Sequence, residues 1–197
     1  MSRLIRADAP DAAALTAAAL RRPGAVALVP TETVYGLVAR VRDPDAAERI
    51  YRLKNRPANK RLGWFVSDWR ELTRFGAILD GAPARLAGRY LPGPLTLIVP
   101  TVDGGTIGFR SPDHFFLREL LARIGEPLLQ TSANSSGMPD ARSAADALAQ
   151  LAGEVDLAVD AGALPDSALA STVVDASSAP PRIVRQGSLV IDPAELG

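Results

Sequence analysis

The sequence predicts a three-layer α/β domain built on a mixed sheet, and three observations carry that prediction. Helical and strand patterns alternate through the first part of the chain, while strands cluster towards its end. The apolar run Ala25–Val29 is unbroken, as expected of a strand covered on both faces, and Pro127–Thr131 reads as another buried strand. Finally, the Asp103-Gly104-Gly105 turn between Leu95–Val99 and Thr106–Arg110 calls for an antiparallel hairpin inside that sheet.

Taken in order, Asp8–Arg22 is rich in Ala and Leu and stops at Pro23-Gly24, which predicts a first helix. Strand 25–29 follows and ends at Pro30, which has no N–H for a ladder. Asp43 as cap and Pro44 in the first turn start a second helix, amphipathic through Ile50 and Leu53 to Lys54. Leu62–Val66 is a strand, Ser67 caps a short helix over 68–75, and Ala84–Leu91 is helical up to Pro92-Gly93-Pro94. After the hairpin, Ser111-Pro112 opens a helix that ends at Ile124-Gly125. Ser143 and Asp146 form a capping box for a helix to Ala152. Strands near Leu157–Val159, Ser171–Val174 and Arg182–Arg185 complete the chain, with Gly162–Ala170 its most mobile loop.

With 197 residues, 47% hydrophobic and 22% charged, one soluble globular domain over 1–197 is expected. Net charge is zero, so an anionic partner must be held by a local cluster. No cysteine is present, which removes thiol nucleophiles, thiolate metal sites and disulfides together. A Ser-His-Asp hydrolase would depend on the only histidine, His114, better read as packing or capping at a helix start. No signal-peptide core or apolar run near ~18 residues is found, so a cytoplasmic protein without membrane contact is expected.

The chemistry-bearing residues concentrate between Val29 and Lys60. Thr31, Thr33 and Tyr35 put hydroxyls directly after a buried strand, and the following helix exits through Arg49, Arg52, Lys54, Arg56, Lys60 and Arg61. This looks like the floor of an anion-binding pocket. Lys54-x-Arg56 fits either a solvated basic helix end or a point charge beside a guanidinium fork for phosphate. Ser132-x-Asn134 fits either a plain turn or the crevice outside a strand's carboxyl end. Arg110, at the end of a small apolar strand, is a surface charge or a carboxylate clamp. Trp64, Phe65 and Trp69 read as core or rim aromatics, and both glycine-rich phosphate motifs are absent.

Read together, P-T-E-T-V-Y-G, K-N-R-P-A-N-K, L-P-G-P-L-T-L-I-V-P, G-F-R-S-P-D-H, T-S-A-N-S-S-G, S-T-V-V-D and P-R-I-V-R-Q-G resemble the YrdC-like threonylcarbamoyl-adenylate synthase family, in its short single-domain form. The resemblance spans about Gly24 to Gly187. It implies a twisted open sheet with helices on both faces and a concave basic cleft. It also implies a nucleotidyltransferase that joins L-threonine, bicarbonate and ATP into threonylcarbamoyl-adenylate and pyrophosphate, with Mg2+. A threonylcarbamoyl transferase complex would then modify tRNA at the adenosine 3′ of the anticodon, and tRNA or double-stranded RNA is a further expected partner.

By position, the resemblance assigns catalysis to Lys54, Arg56, Ser132 and Asn134, and threonine binding to Thr33, Arg110, Ser132 and Ser171. It assigns the nucleotide to Lys54, Arg56, Lys60, Thr106, Asn134, Arg142 and Arg185, and no residue to a metal. Carbamate formation needs no protein nucleophile, and adenylation can rest on positioning and charge, which suits a chain without cysteine. The sequence departs from the family pattern at Phe65, where a histidine is usual, and at Val38, Ala39, Phe115 and Arg142. Two other readings therefore stand beside the first: an RNA-binding or ribosome-maturation module on this fold, and a relative that carbamoylates another amine.

Overall fold

A computed structural model describes residues 2–196; Met1 and Gly197, the ends of the expected domain, lie outside the described residues. Ten strands form one mixed sheet: β1 Arg3–Arg6, β2 Ala27–Val29, β3 Gly36–Arg40, β4 Gly63–Phe65, β5 Leu95–Pro100, β6 Thr106–Arg110, β7 Leu128–Ser132, β8 Leu157–Asp160, β9 Thr172–Asp175 and β10 Arg182–Arg185. Their order across the sheet is β1-β8-β2-β3-β7-β4-β6-β5-β9-β10. The helices are α1 Ala12–Leu20, α2 Pro44–Lys54, α3 Ala82–Tyr90, α4 Phe115–Ile124 and α5 Ala144–Gln150, with 3-10 segments at Trp69–Phe75 and Pro193–Leu196.

Local chemistry explains most boundaries. Asp43 accepts from the N–H of Ala46 at 2.9 Å, and Pro44 opens α2 as the sequence requires. Ser143 accepts from Asp146 N, while the Asp146 carboxylate returns to Arg142 N rather than to the cap itself. Gly125, at φ 74°, terminates α4 in the left-handed region open to glycine. Two starts differ from expectation. Asp68, not Ser67, caps the Trp69–Phe75 segment, its carboxylate accepting from Arg70 N, while the Ser67 N–H donates to Glu71. Helix α4 begins at Phe115 with His114 at its N-cap rather than at Ser111-Pro112, and the Ser111 hydroxyl donates to the Ser67 carbonyl.

Three layers form over half of the sheet. On one face α2 and α5 bury Ala46, Ile50, Leu53 and Ala147 against Leu28, Leu37 and Ala158. On the other, α1 and α4 bury Leu20, Phe116, Leu117 and Leu120 against Val29, Val38 and Leu157. Each such side chain contributes about 1.5–3 kcal/mol by leaving water. The rest of the sheet has one helical cover: α3 and the 69–75 segment pack on Leu95, Leu97, Val99, Phe109 and Val174. Because strand side chains alternate, Thr96, Ile98, Gly108, Arg110 and Val173 point to the face left open. The cleft is therefore the sheet's own uncovered surface. No helix among the described residues is long and apolar enough to cross a membrane.

Candidate functional site

The open face carries a cleft of about 510 Å³. Its cations are Arg56, Arg61, Arg110 and Arg185, and no carboxylate is among its lining residues. A chain of zero net charge thus holds a locally positive concavity, which is what anion capture needs. Hydroxyl-bearing residues of the lining are Thr31, Thr33, Tyr35, Thr96, Thr106, Thr131, Ser132 and Ser171.

The β2–β3 loop is pinned by Thr31. Its Oγ1 accepts from the N–H groups of Thr33 and Val34 and donates to the Val34 carbonyl at 2.7 Å. With that proton committed, Thr33 donates to Thr31 across 2.9 Å and accepts from Arg110 Nη1 at 2.8 Å. Arg110 itself is 4% exposed. Its guanidinium lies 5.0 Å from the Phe65 ring centre and 3.3 Å from the Glu32 carboxylate. Burial lowers its proton affinity, Glu32 opposes that, and Arg185 adds to it. The aromatic side chain that stands where the family pattern has histidine is thus the platform under the buried cation.

Lys54 is 1% exposed, and its ammonium donates to the carbonyls of Ser132 and Asn134, with Asn134 Oδ1 at 3.4 Å. Ser132 Oγ donates to Asn134 Oδ1, Asn134 Nδ2 donates to the Met138 carbonyl, and Ser136 N donates to the Lys54 carbonyl. The last residue of α2 and the end of β7 are therefore stitched in both directions. Burial first, then the charge of Arg56, pushes the Lys54 ammonium down to about 8, with Asp140 opposing. Its donors face the 132–134 turn, and neither Lys54 nor Asn134 is among the residues lining the cleft.

Arg56 does line it, and organises its own loop by donating to the Lys60 and Arg61 carbonyls at 2.9 Å. Arg61 crosses to the Thr106 carbonyl. Lys60 is exposed and outside the lining; Arg61, its neighbour, holds the place in the cleft that the sequence reading gave to Lys60. Alternation before β4 was the available signal, because Arg61 precedes Gly63 by one full strand period. Arg142 also lies outside the lining. It donates to the Leu164, Pro165 and Asp166 carbonyls and pairs with the Asp166 carboxylate, tying down the loop expected to be mobile. Tyr35 holds the same loop through the Gly162 carbonyl.

Arg185 Nε and Nη2 both donate to the Ser171 carbonyl, and Ser171 Oγ meets Thr96 Oγ1 at 2.9 Å. The backbone at Gly187 makes this clamp possible: a Cβ there would sit 2.2 Å from the Ala170 carbonyl oxygen and 2.4 Å from Ser171 C. Gly187→Ala should therefore cost about 1–3 kcal/mol in chemical denaturation and displace Ser171. Gly88→Ala in α3, with nothing within 4 Å, should gain about 0.5–1 kcal/mol.

A family model covering Sua5, YciO and YrdC, described as telomere recombination, matches residues 19–187. The threonylcarbamoyl-AMP synthase of Pyrococcus abyssi is 33% identical over 188 residues, covering 91% of this chain and 55% of the relative. The one from Chromohalobacter salexigens is 39% identical over 180 residues, 85% of this chain and 94% of the relative. Among solved structures, P. abyssi Sua5 complexed with L-threonine matches with a TM-score of 0.83 and 30% identity, over 96% of this chain and 58% of that one. E. coli YciO matches with a TM-score of 0.83 and 27% identity, over 95% and 97%. The chain spans about half the length of the P. abyssi and Bacillus subtilis synthases it matches.

Proposed function

The chain belongs to the Sua5/YciO/YrdC family, and from that premise we propose that it forms threonylcarbamoyl-AMP and pyrophosphate from L-threonine, bicarbonate and MgATP. The observation that carries this reading is the convergence of Arg110, Thr33 and Ser171 with Arg56, Arg61 and Arg185 in one cleft. A carboxylate and a triphosphate must be held together for the reaction, and guanidinium forks suit both.

In this reading Arg110 takes the threonine carboxylate, while Thr33 and Ser171 contact the amino acid. Arg56, Arg61 and Arg185 draw in the phosphates, Thr106 lies beside the nucleotide, and Lys54 acts by holding Ser132 and Asn134 in place. Lys60 and Arg142 carry no contact here. The amine then attacks the carbon of bicarbonate, and a carbamate oxygen attacks the α-phosphorus as pyrophosphate leaves. Low dielectric around Arg110 strengthens its grip on a negative oxygen. The cleft's donors fit phosphate oxygens rather than a divalent cation, and the described residues hold no cluster of three or more His, Cys, Asp or Glu for a metal. Magnesium would arrive on the phosphates of the nucleotide substrate. The adenylate would pass to a threonylcarbamoyl transferase complex acting on tRNA.

The test is pyrophosphate release and AMP-adduct formation with purified protein. Both should require threonine and bicarbonate together, and serine or another amine in place of threonine should be poorer. Product that ignores threonine would overturn the assignment.

A further inference from the structure

The three buried side-chain atoms without a hydrogen-bond partner among the described residues are Glu32 Oε1, Arg110 Nε and His114 Nδ1. They cluster around Arg110, which lines the cleft. Glu32 Oε2 lies 3.3 Å from Arg110 Nη2, and the His114 ring feels the charges of Glu32, Arg110 and Asp113. Unpaired buried polar atoms are costly, and three together mark a place where the protein holds acceptor and donor capacity in reserve. We propose that Glu32, supported by His114, takes up the proton released when the substrate amine becomes a carbamate. This rests on the synthase reading above.

The proton balance requires such a group. An ammonium and bicarbonate give carbamate, water and one proton: the new C–N bond forms, a C–O bond breaks, and oxygen leaves as water. Without an acceptor the amine stays protonated and has no lone pair for attack. Before substrate binds, Glu32 is the counter-ion of Arg110, a cation that Arg185 also bears upon. When the substrate carboxylate docks on the same guanidinium, two carboxylates share one buried cation. Competition for that guanidinium frees a Glu32 oxygen, beside the already unpartnered Oε1, to accept a proton at the moment one is released. His114 supports it as a hydrogen-bonding neighbour and not as a second base: burial lowers its proton affinity, and its Nδ1 has no partner among the described residues. Neither residue contacts the phosphates in this scheme, so their loss should spare nucleotide binding.

The test is Glu32→Gln, which keeps the shape and an oxygen for Arg110 but is not a base. Pyrophosphate release is measured against pH for the variant and for the natural protein. The variant should be slower by about 10²-fold near pH 7, and the ratio should shrink as pH rises past the amine's own pKa, where no proton is left to remove. Glu32→Asp, which restores a carboxylate, should recover part of the rate, and thermal melting of both variants checks folding. A deficit that stays constant with pH, or no deficit, would overturn the proposal. If the natural protein itself forms no threonine-dependent product, the synthase reading has failed, and that outcome is read before any variant is compared.

Discussion

Replacing Lys54 with methionine should lower threonine-dependent turnover by about 10²-fold or more while changing stability by only about 1–2 kcal/mol. The reason lies in what the ammonium holds. It donates to the Ser132 and Asn134 carbonyls, and this sets the turn in which Ser132 Oγ and Asn134 Oδ1 meet at 2.5 Å. Methionine fills the volume and removes a buried charge, a gain that offsets part of the cost of two carbonyls left without donors. The turn then loses its register, and a shift of about 1 Å in positioned groups is enough for the expected rate loss. Urea denaturation and steady-state kinetics separate the two effects. A variant that unfolds as fast as it loses activity would make Lys54 merely a core residue.

The same lysine gives a pH signature whose two halves run in opposite directions. Its folded-state value of about 8 lies below the ordinary 10.5. Below pH 8 both folded and unfolded chains hold the proton, and the native state carries the full desolvation cost. Between 8 and 10.5 the native state has given up its proton and the unfolded chain has not, so this residue's contribution to stability rises with pH. The neutral amine, however, has one donor fewer for the 132–134 turn, so activity should fall over the same window. Melting temperature and turnover measured from pH 7 to 10 should diverge in the natural protein, and the divergence should vanish in Lys54→Met.

Much of the fold was legible because its signals are local. The Asp43-Pro44 start, the Gly125 stop and the Ser143 cap depend on a few adjacent atoms, and each is found, although the Asp146 carboxylate turns to Arg142 N instead of closing the box. Strand β3 was not legible: Gly36–Arg40 has no alternation, and is a strand because β2 and β7 bracket it with antiparallel ladders. Edge strand β1 was hidden likewise, as its register comes from β8, more than 150 residues away in sequence. At the site, sequence order brought Thr33, Arg110, Ser132 and Ser171 to attention, and all line one cleft. Lys54 and Asn134 were also singled out, but a sequence cannot say which way a buried ammonium points. Glu32 escaped notice for a related reason. Its position between two threonines looks like spacing, and only the return of Arg110 across the sheet gives its carboxylate a partner.

That partnership makes Arg110→Ala the most damaging single change expected here. It strands the Glu32 carboxylate, 16% exposed at its side chain, without a counter-ion, and deprives Thr33 of its donor. Breaking a buried pair from one side costs about 3–5 kcal/mol, because the remaining charge must be desolvated alone or protonated. The ratio kcat/KM for threonine should fall by about 10³-fold, with the loss appearing in KM for threonine rather than for ATP. The double variant Arg110→Met with Glu32→Gln separates structure from function. It removes both charges, keeps an apolar stem over Phe65, and should recover most of the lost stability while leaving threonine affinity no better. Recovery of threonine affinity along with stability would mean that the guanidinium serves the fold and that the carboxylate is held elsewhere. Failure to recover either would mean that the Thr31–Thr33–Arg110 chain, rather than charge balance, is what the fold requires at this point.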